Sequence, residues 1–455
     1  MTAERLLKRQ RKAFLQGRTL DTDFRRGILR RLGKNIEKYQ PEIEAALKKD
    51  LNKSSFESYM TETGLILSSL SYMLKHLDSW TKRKLVPTPI AQMPAVSFVI
   101  REPYGNVLVM TPWNYPFLLA MEPFIGAIAA GNCCIVKPSE YAPNTGNVIK
   151  TIIEQSVPSW LGAVVLGDQA VSEKLLDCRF DYIFFTGSPA VGKEVLKKAA
   201  LHLTPVTLEL GGKSPCIVEK SADIRMAAKR IVFGKFLNAG QTCVAPDYIL
   251  VQRSVKKELI RWIKYWTWRQ LGENPLLNSD YPRIVSRKHY DRLVHLLDGE
   301  NLLFGGERRE DTLQIGPALL DEPSWDRPVM KEEIFGPILP IISIDSVLEA
   351  ERIIKRGEKP LALYLFTSRK LVEEYILDNV SFGGGCINDT VIHLATNYLP
   401  FGGVGNSGMG AYHGKYTFET FTREKSVQKK TVRLDLPVRY QPYTKAKEKW
   451  LKRFL

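Results

Sequence analysis

The sequence predicts an α/β fold of two domains, each a largely parallel sheet covered by helices. Three observations predict it: strand-like and helix-like segments alternate from 106 to 201, a second alternation begins at TLELGG (207–212), and the chain opens with helices alone. Alternation implies parallel pairing, because a crossover is needed to return the chain for a second strand in the same direction.

In the opening, Leu6, Leu7, Phe14 and Leu15, then Ile28, Leu29, Leu32 and Ile36, recur every three to four residues, so 3–80 reads as successive helices. From 96 to 110, SFVIREPYGNVLVM reads as two strands joined by a turn at 103–106. The strand at 106–112 leads to an apolar helix near 117–130. Then follow CCIVKP (133–138), a helix near 143–156, AVVLG (163–167), a helix at 169–176, DYIFFTG (181–187) and a helix at 189–201. Beyond TLELGG come the strands PCIVE and DYILVQ, with a helix-like run at 222–237 between them. A Trp-rich helix around 255–270 and strands near 338–344 and 361–366 complete the second domain. GGGCINDT (383–390) and LPFGGVGNSGMG (399–410) read as long loops, and long ordered loops in compact domains are commonly functional.

Composition narrows the classes. A chain of 455 residues exceeds what one simple core organises. Its 44% apolar and 25% charged residues are those of an ordinary globular protein, which excludes disordered and fibrous chains. The six cysteines have no framework spacing, no C-x-x-C pair occurs and the six histidines are scattered, so neither a disulfide scaffold nor a metal site is expected. The net charge of +16 is concentrated at the two ends, from Arg5 to Arg31 and from Lys425 to Arg453, and reads as solvated helix faces; no nucleic-acid partner is expected. The last stretch, YTKAKEKWLKRFL, predicts a basic amphipathic helix with Trp450, Leu451, Phe454 and Leu455 on one side. At most it supports weak attraction to an anionic membrane surface. The N-terminus lacks the apolar stretch of a signal peptide, and no window holds about 18 uninterrupted apolar residues, so a cytoplasmic protein is expected.

Three residues are candidates for covalent chemistry. Cys243, in NAGQTCVAPDY, follows a helix stopped at Asn238-Ala239-Gly240 and precedes a strand, so it sits on a loop whose N–H groups are free to bind an anion; the alternative is a buried, inert thiol. Glu209 lies in the apolar strand TLELGG, where desolvation raises its proton affinity and suits it to act as a general base; the alternative is a strand-end glutamate facing water. Asn114 is held between Pro112 and Pro116 in TPWNYP, where its amide could stabilise an oxyanion or simply form a turn. FFTGSPAVGK (184–193) places Gly187 and Gly192 at a strand-to-helix passage able to receive phosphate, although it matches neither common phosphate-binding fingerprint. Asn114, Lys137 and Gly187 all fall beyond carboxyl ends of strands, where ligands of parallel sheets bind.

Together TPWNYP, VKPSE, FTGS, LELGGKSP with GQTC, and EEIFGP (332–337) resemble the aldehyde dehydrogenase superfamily, over essentially the whole chain. The short N-terminus, CVAPDY and LPFGGVGNSGMGAYHGK are similar to its class 3 branch. The resemblance implies two Rossmann-related three-layer domains with a small bridging, oligomerising β element. A dinucleotide-binding domain would span 1–94 and 108–208 and a catalytic domain 209–398. The bridging element would comprise 95–107 and 424–440, an interface loop 399–423 and a basic tail 441–455.

It further implies that Cys243 is the nucleophile, Glu209 the base and Asn114 the oxyanion amide. Trp113 would lie beside the cofactor, Lys137 and Glu140 would bind the adenosine ribose, and Gly187, Ser188, Val191 and Gly192 would form the pyrophosphate-side loop. Glu333 and Phe335 would position the nicotinamide ribose and ring. The implied activity is oxidation of a medium- or long-chain aliphatic or aromatic aldehyde to the acid, with NAD or NADP and no metal, by a homodimer. Glu140 favours a free 2′-hydroxyl, while Lys137 could accept a phosphate. The rivals are an acylating dehydrogenase that passes its thioester to coenzyme A and a cofactor-independent thiol esterase. Pro189, where the family often has threonine, and Ala239, where class 3 relatives often have cysteine, depart from the pattern.

Overall fold

The computed structural model describes residues 3–454, so Leu455 of the amphipathic tail lies outside the described residues. The opening is helical as expected: Ala3–Leu15, Thr22–Lys38 and Gln40–Leu51 precede Ser55–Ser58, a π-helical turn at Tyr59–Thr63 and the helix Gly64–Thr81. Ile28, Leu29, Leu32 and Ile36 are buried in the main core, while Leu15, at a helix end, is exposed. One basic residue departs from the solvated-face reading. Arg25 is buried and donates to the carbonyls of Ala129 (2.8 Å) and Leu20 (3.1 Å) and to the Thr22 hydroxyl (3.0 Å), tying the opening helices to the first domain.

Two large sheets follow. The first has six strands in the order Gly408–Met409, Val206–Leu210, Tyr182–Gly187, Asn106–Met110, Cys133–Lys137, Gly162–Val164, all parallel except the short first one. Its strands are buried along nearly their whole length, as continuous Val/Ile/Leu/Phe runs require when helices cover both faces. The second has seven strands in the order Leu302–Gly305, Ala318–Asp321, Ile338–Ile344, Tyr248–Gln252, Pro215–Val218, Ala362–Phe366, Gly384–Ile387, again parallel except at the first edge.

Three features differ from the sequence reading. The strands on either side of the turn at 103–106 do not pair with each other. Ala95–Pro103 joins Lys84–Val86 and Thr422–Lys430 in a separate antiparallel sheet, and Asn106–Met110 enters the six-stranded one. GGGCINDT is not wholly loop, because Gly384–Ile387 is an edge strand of the seven-stranded sheet. The chain passes from the first sheet to the second at 211–214, just beyond the expected boundary at 208/209, so Glu209 belongs to the first sheet. The tail forms the helix Lys445–Phe454, with the Trp450 and Phe454 rings in contact at 4.7 Å. Among the described residues no helix is long and apolar enough to cross a membrane.

Candidate active site

The strands Asn106–Met110, Cys133–Lys137, Tyr182–Gly187 and Val206–Leu210 run parallel and end on one edge of the first sheet. Their carboxyl ends put the Asn114 loop, Lys137, Gly187 and Glu209 along that edge, where ligands of such sheets bind.

The second domain brings Cys243 there. The helix Ile224–Phe236 breaks at Leu237–Gly240, where Asn238 (φ 52°, ψ 32°), Ala239 (φ 51°, ψ 35°) and Gly240 (φ 74°) are all left-handed. Two such non-glycine residues in succession persist only if the surroundings hold them. The Asn238 N–H donates to Glu57 at 2.9 Å, and its side-chain amide donates to the carbonyls of Asn114 (2.8 Å) and Gln241 (3.2 Å). Gln241 in turn donates to the carbonyls of Asn238 (3.1 Å) and Arg283 (3.0 Å) and accepts the Val285 N–H at 3.1 Å. A Cβ on Gly240 would stand 2.2 Å from the Gly336 carbonyl oxygen, so the turn before Cys243 and the EEIFGP loop meet backbone to backbone. Gly240→Ala is therefore expected to lower stability by about 2 kcal/mol or more, measured by urea unfolding, since a strained left-handed residue alone costs about 1–3 kcal/mol.

Past this turn Cys243 is half-buried, packed beside the core. Burial, reinforced by Glu333 and Glu209, pushes its thiol up to about 12, against the backbone N–H groups of Cys243 and Val244, which favour the thiolate. The Tyr364 hydroxyl donates to the Val244 carbonyl at 2.5 Å, and the Tyr115 and Thr242 hydroxyls share a hydrogen bond at 2.6 Å.

Glu209 is buried on its strand and not water-facing. Neither of its carboxyl oxygens has a hydrogen-bond partner among the described residues, and burial alone raises its proton affinity far above the carboxylate range. Buried oxygens without partners are rare and mark a place where a ligand or water belongs. Asn114 is buried too. Its side-chain amide donates one hydrogen to the Gln241 carbonyl at 3.0 Å, which fixes the direction of the other, and its Oδ1 has no partner. The thiol, the two glutamates and the amide thus converge, although they come from both domains.

The residues assigned to a dinucleotide divide between the domains. Lys137 is buried, donates to the Pro138 carbonyl at 2.8 Å and lies 3.7 Å from the half-exposed Glu140 carboxylate; burial lowers its affinity for the proton. Ser188 caps the helix Pro189–Ala200 by accepting the Val191 N–H at 3.4 Å. Gly192 lets that helix sit close to the strand bearing Glu209, since a Cβ would meet Leu210 at 2.7 Å. Glu333 accepts the Gly212 N–H, but its Oε1 is unpartnered, and burial raises the carboxyl to about 8. A cavity of about 770 Å³ is lined by Pro189, Gly211, Gly212, Glu333, Asn406 and Ser407, among others. The unpartnered Glu333 oxygen, the helix N-terminus at Ser188 and this cavity fit an extended polar cofactor.

Trp113 stacks edge-on against Phe335, centroids 5.4 Å apart, and tilts against His289 at 5.0 Å. Burial and the neighbouring Arg292 push the His289 imidazole down to about 4, so it is neutral at pH 7. Sequence reasoning missed His289, Tyr364 and three charged residues of the helical opening, Lys53, Glu57 and Glu62, which touch the loops of the site. Nothing in the local pattern of Lys53, Glu57 and Glu62 distinguishes them from surface charges. No group of three His, Cys, Asp or Glu side chains placed to hold a metal ion occurs among the described residues.

The model of the aldehyde dehydrogenase family matches residues 1–427. A 4,4'-diaponeurosporen-aldehyde dehydrogenase of Staphylococcus aureus is 50% identical over 438 residues, covering 96% of this chain and 95% of the relative. Aldehyde dehydrogenase family 3 member A2 of Mus musculus is 43% identical over 454 residues, covering 99% and 94%. A Staphylococcus aureus AldH solved in its substrate-bound state superposes with a TM-score of 0.98 at 48% identity, over 100% of this chain and 99% of that one. A Staphylococcus aureus betaine aldehyde dehydrogenase solved with NAD+ gives 0.85 at 26% identity, over 96% and 89%.

Proposed function

Since the chain belongs to the aldehyde dehydrogenase family and is an aldehyde-oxidising enzyme, we propose that it works through a thioester on Cys243 with NAD or NADP as oxidant. The observation that carries this reading is the half-buried Cys243 thiol lying within electrostatic reach of Glu209, whose two oxygens are buried without a partner. A thiol and a carboxyl so placed serve two successive steps, nucleophilic capture and release by water.

The Cys243 thiol passes its proton to solvent water and its sulfur forms a bond to the aldehyde carbon. The carbonyl oxygen takes up the electron pair and is held by the Asn114 amide and the Cys243 N–H. The adduct carbon then loses its hydrogen as hydride while the C=O re-forms as a thioester; a dinucleotide held there would supply the two-electron acceptor. Glu209 then takes a proton from water while the water oxygen attacks the thioester carbon; the C–S bond breaks, the acid is released, and the proton held by Glu209 returns to the departing sulfur to restore the thiol. Trp113, Glu333 and Phe335 would hold the nicotinamide end of the dinucleotide; Lys137, Glu140 and the segment from Gly187 to Gly192 would hold the adenosine and pyrophosphate.

An acylating enzyme would have to protect its thioester from water, and a carboxyl beside the sulfur works against that. A thiol esterase would have no use for Lys137, Glu140 or Glu333. Formation of reduced dinucleotide across a panel of aldehydes, run with NAD and with NADP, tests the reading: turnover to free acid without coenzyme A supports it, and turnover only with coenzyme A, or ester hydrolysis without dinucleotide, defeats it. Medium- or long-chain aliphatic or aromatic aldehydes are the proposed substrates; the staphylococcal relative is named for 4,4'-diaponeurosporen-aldehyde. We also propose a cytoplasmic homodimer, which sedimentation of the purified chain would test. Asn114→Ala is expected to lower kcat by about 10²- to 10³-fold, the typical loss on removing one oxyanion donor, with little change in dinucleotide affinity.

A further inference from the structure

The nucleophile turn and the oxyanion loop come from distant parts of the chain, and a third segment, 53–62, touches both. It leaves the helix Gln40–Leu51 through the left-handed Asn52 and runs through Ser55–Ser58 into the π-helical turn Tyr59–Thr63. Single π turns are rare and redirect side chains relative to a regular helix.

Glu62, on this turn, pairs with Lys53 at 2.6 Å, and neither side chain has any exposed surface. Burying two ions costs more in lost hydration than their attraction returns unless the remaining donors and acceptors are also used. Here they are used on the oxyanion loop. Lys53 donates to the Asn114 carbonyl at 3.0 Å and lies 3.9 Å from the centre of the Tyr115 ring. The second Glu62 oxygen accepts the N–H groups of Phe117 (2.8 Å) and Leu118 (3.1 Å), the first-turn amides of the helix Pro116–Ala130, where the helix dipole favours a carboxylate. The pair therefore grips the chain at Asn114 and in the three to four residues that follow it. One turn earlier, Glu57 accepts the N–H of Asn238, the first left-handed residue of the nucleophile turn, at 2.9 Å. Asn238 and Asn114 then tie the two loops directly.

We propose that Lys53, Glu57 and Glu62 are positioning residues that set the spacing between the Asn114 amide and the Cys243 sulfur without touching substrate. The proposal rests on the reading that Asn114 holds the oxyanion and Cys243 attacks. A displacement of about 1 Å at a reacting group is enough to cost about 10²-fold in rate, so small shifts of either loop are expected to be visible.

The test compares Lys53→Met/Glu62→Gln, which removes both buried charges together, with Glu57→Ala, Glu57→Gln and Asn114→Ala in the full-length chain. Four quantities are read: kcat, dinucleotide affinity by fluorescence titration, the rate of Cys243 alkylation by iodoacetamide, and the thermal transition by circular dichroism. The double variant is expected to lose about 10- to 100-fold in kcat at unchanged dinucleotide affinity, and to add little to the loss in an Asn114→Ala background. Glu57→Ala is expected to slow alkylation about tenfold, and Glu57→Gln, which keeps an acceptor oxygen, to restore it. Folded clamp variants with wild-type kcat and alkylation rates, losses that add fully to that of Asn114→Ala, or an equal fall in dinucleotide affinity would each overturn the proposal. Should the double variant fail to fold, the Glu57 pair decides alone. If Asn114→Ala itself keeps full turnover, the oxyanion reading fails, and the alkylation rates still judge Glu57 separately.

Discussion

Cys243→Ser is expected to abolish aldehyde oxidation, with turnover down by about 10⁴-fold or more, while dinucleotide affinity stays within about twofold. The exchange barely changes volume and leaves the left-handed turn at Asn238–Gly240 untouched, so the loss would report on the sulfur alone. The other thiols offer no substitute of equal standing. Cys133, Cys134 and Cys216 are fully buried in the core, where burial raises each thiol. Cys178 is half-buried and donates to the Lys174 carbonyl on its own helix turn. Cys386 lies 3.6 Å from His393 Nδ1, an arrangement that could mimic an activated thiol, but burial drives that imidazole down to about 4 and the Cys386 thiol up, so both stay neutral at pH 7. The control is therefore Cys386→Ser, expected to retain full turnover. Reduced dinucleotide formed by Cys243→Ser at more than a tenth of the wild-type rate would place the nucleophile elsewhere.

Glu209→Gln separates the two halves of the reaction. The first half needs only the thiol and the oxyanion donors, so one equivalent of reduced dinucleotide is expected in a rapid burst. The steady state should then fall by about 10²- to 10⁴-fold, the usual contribution of a general base. Intact-mass measurement would show the chain heavier by one acyl group. A normal steady state with no acylated chain would remove Glu209 from the release step. The pH profile supplies a second readout. Burial holds the Glu209 proton to a much higher pH than a free glutamate, so the ionised base becomes more populated only as pH rises well above the usual carboxylate range. Release by the native enzyme is expected to speed up over that range, and release by Glu209→Gln to lose that rise.

The alternation of strands and helices was legible because parallel strands must be apolar on both faces, and CCIVK and YIFFTG are nearly unbroken apolar runs. Cys243, Glu209 and Asn114 were legible as candidates because each sits where its chemistry is awkward: a thiol after a broken helix, a carboxylate in an apolar strand, an amide between prolines. Their convergence was not. It depends on Asn238, Gln241 and Gly240 contacting Asn114, Arg283 and Gly336, contacts that no local spacing encodes. Lys53 and Glu62 were hidden for a different reason. In a helical opening rich in Lys, Arg and Glu, only the tertiary fold shows which charges leave water, and the same holds for Arg25. Local pattern alone read 96–110 as a hairpin, because a turn between two strand-like runs implies one unless a distant segment competes; that 95–103 joins residues 422–430 was legible only through the family resemblance, which grouped 95–107 with 424–440.

The chain crosses between its two large sheets twice, at 211–214 and on its return before Gly408, and Gly408 pairs directly with Glu209. The carboxylate and the amide thus sit on one lobe and the thiol on the other, at the seam where the lobes are stitched. Cutting the polypeptide at that seam would leave Glu209 and Asn114 on the front fragment and Cys243 on the back one. Neither fragment would be a smaller enzyme. The proposed reactive centre is a property of the join.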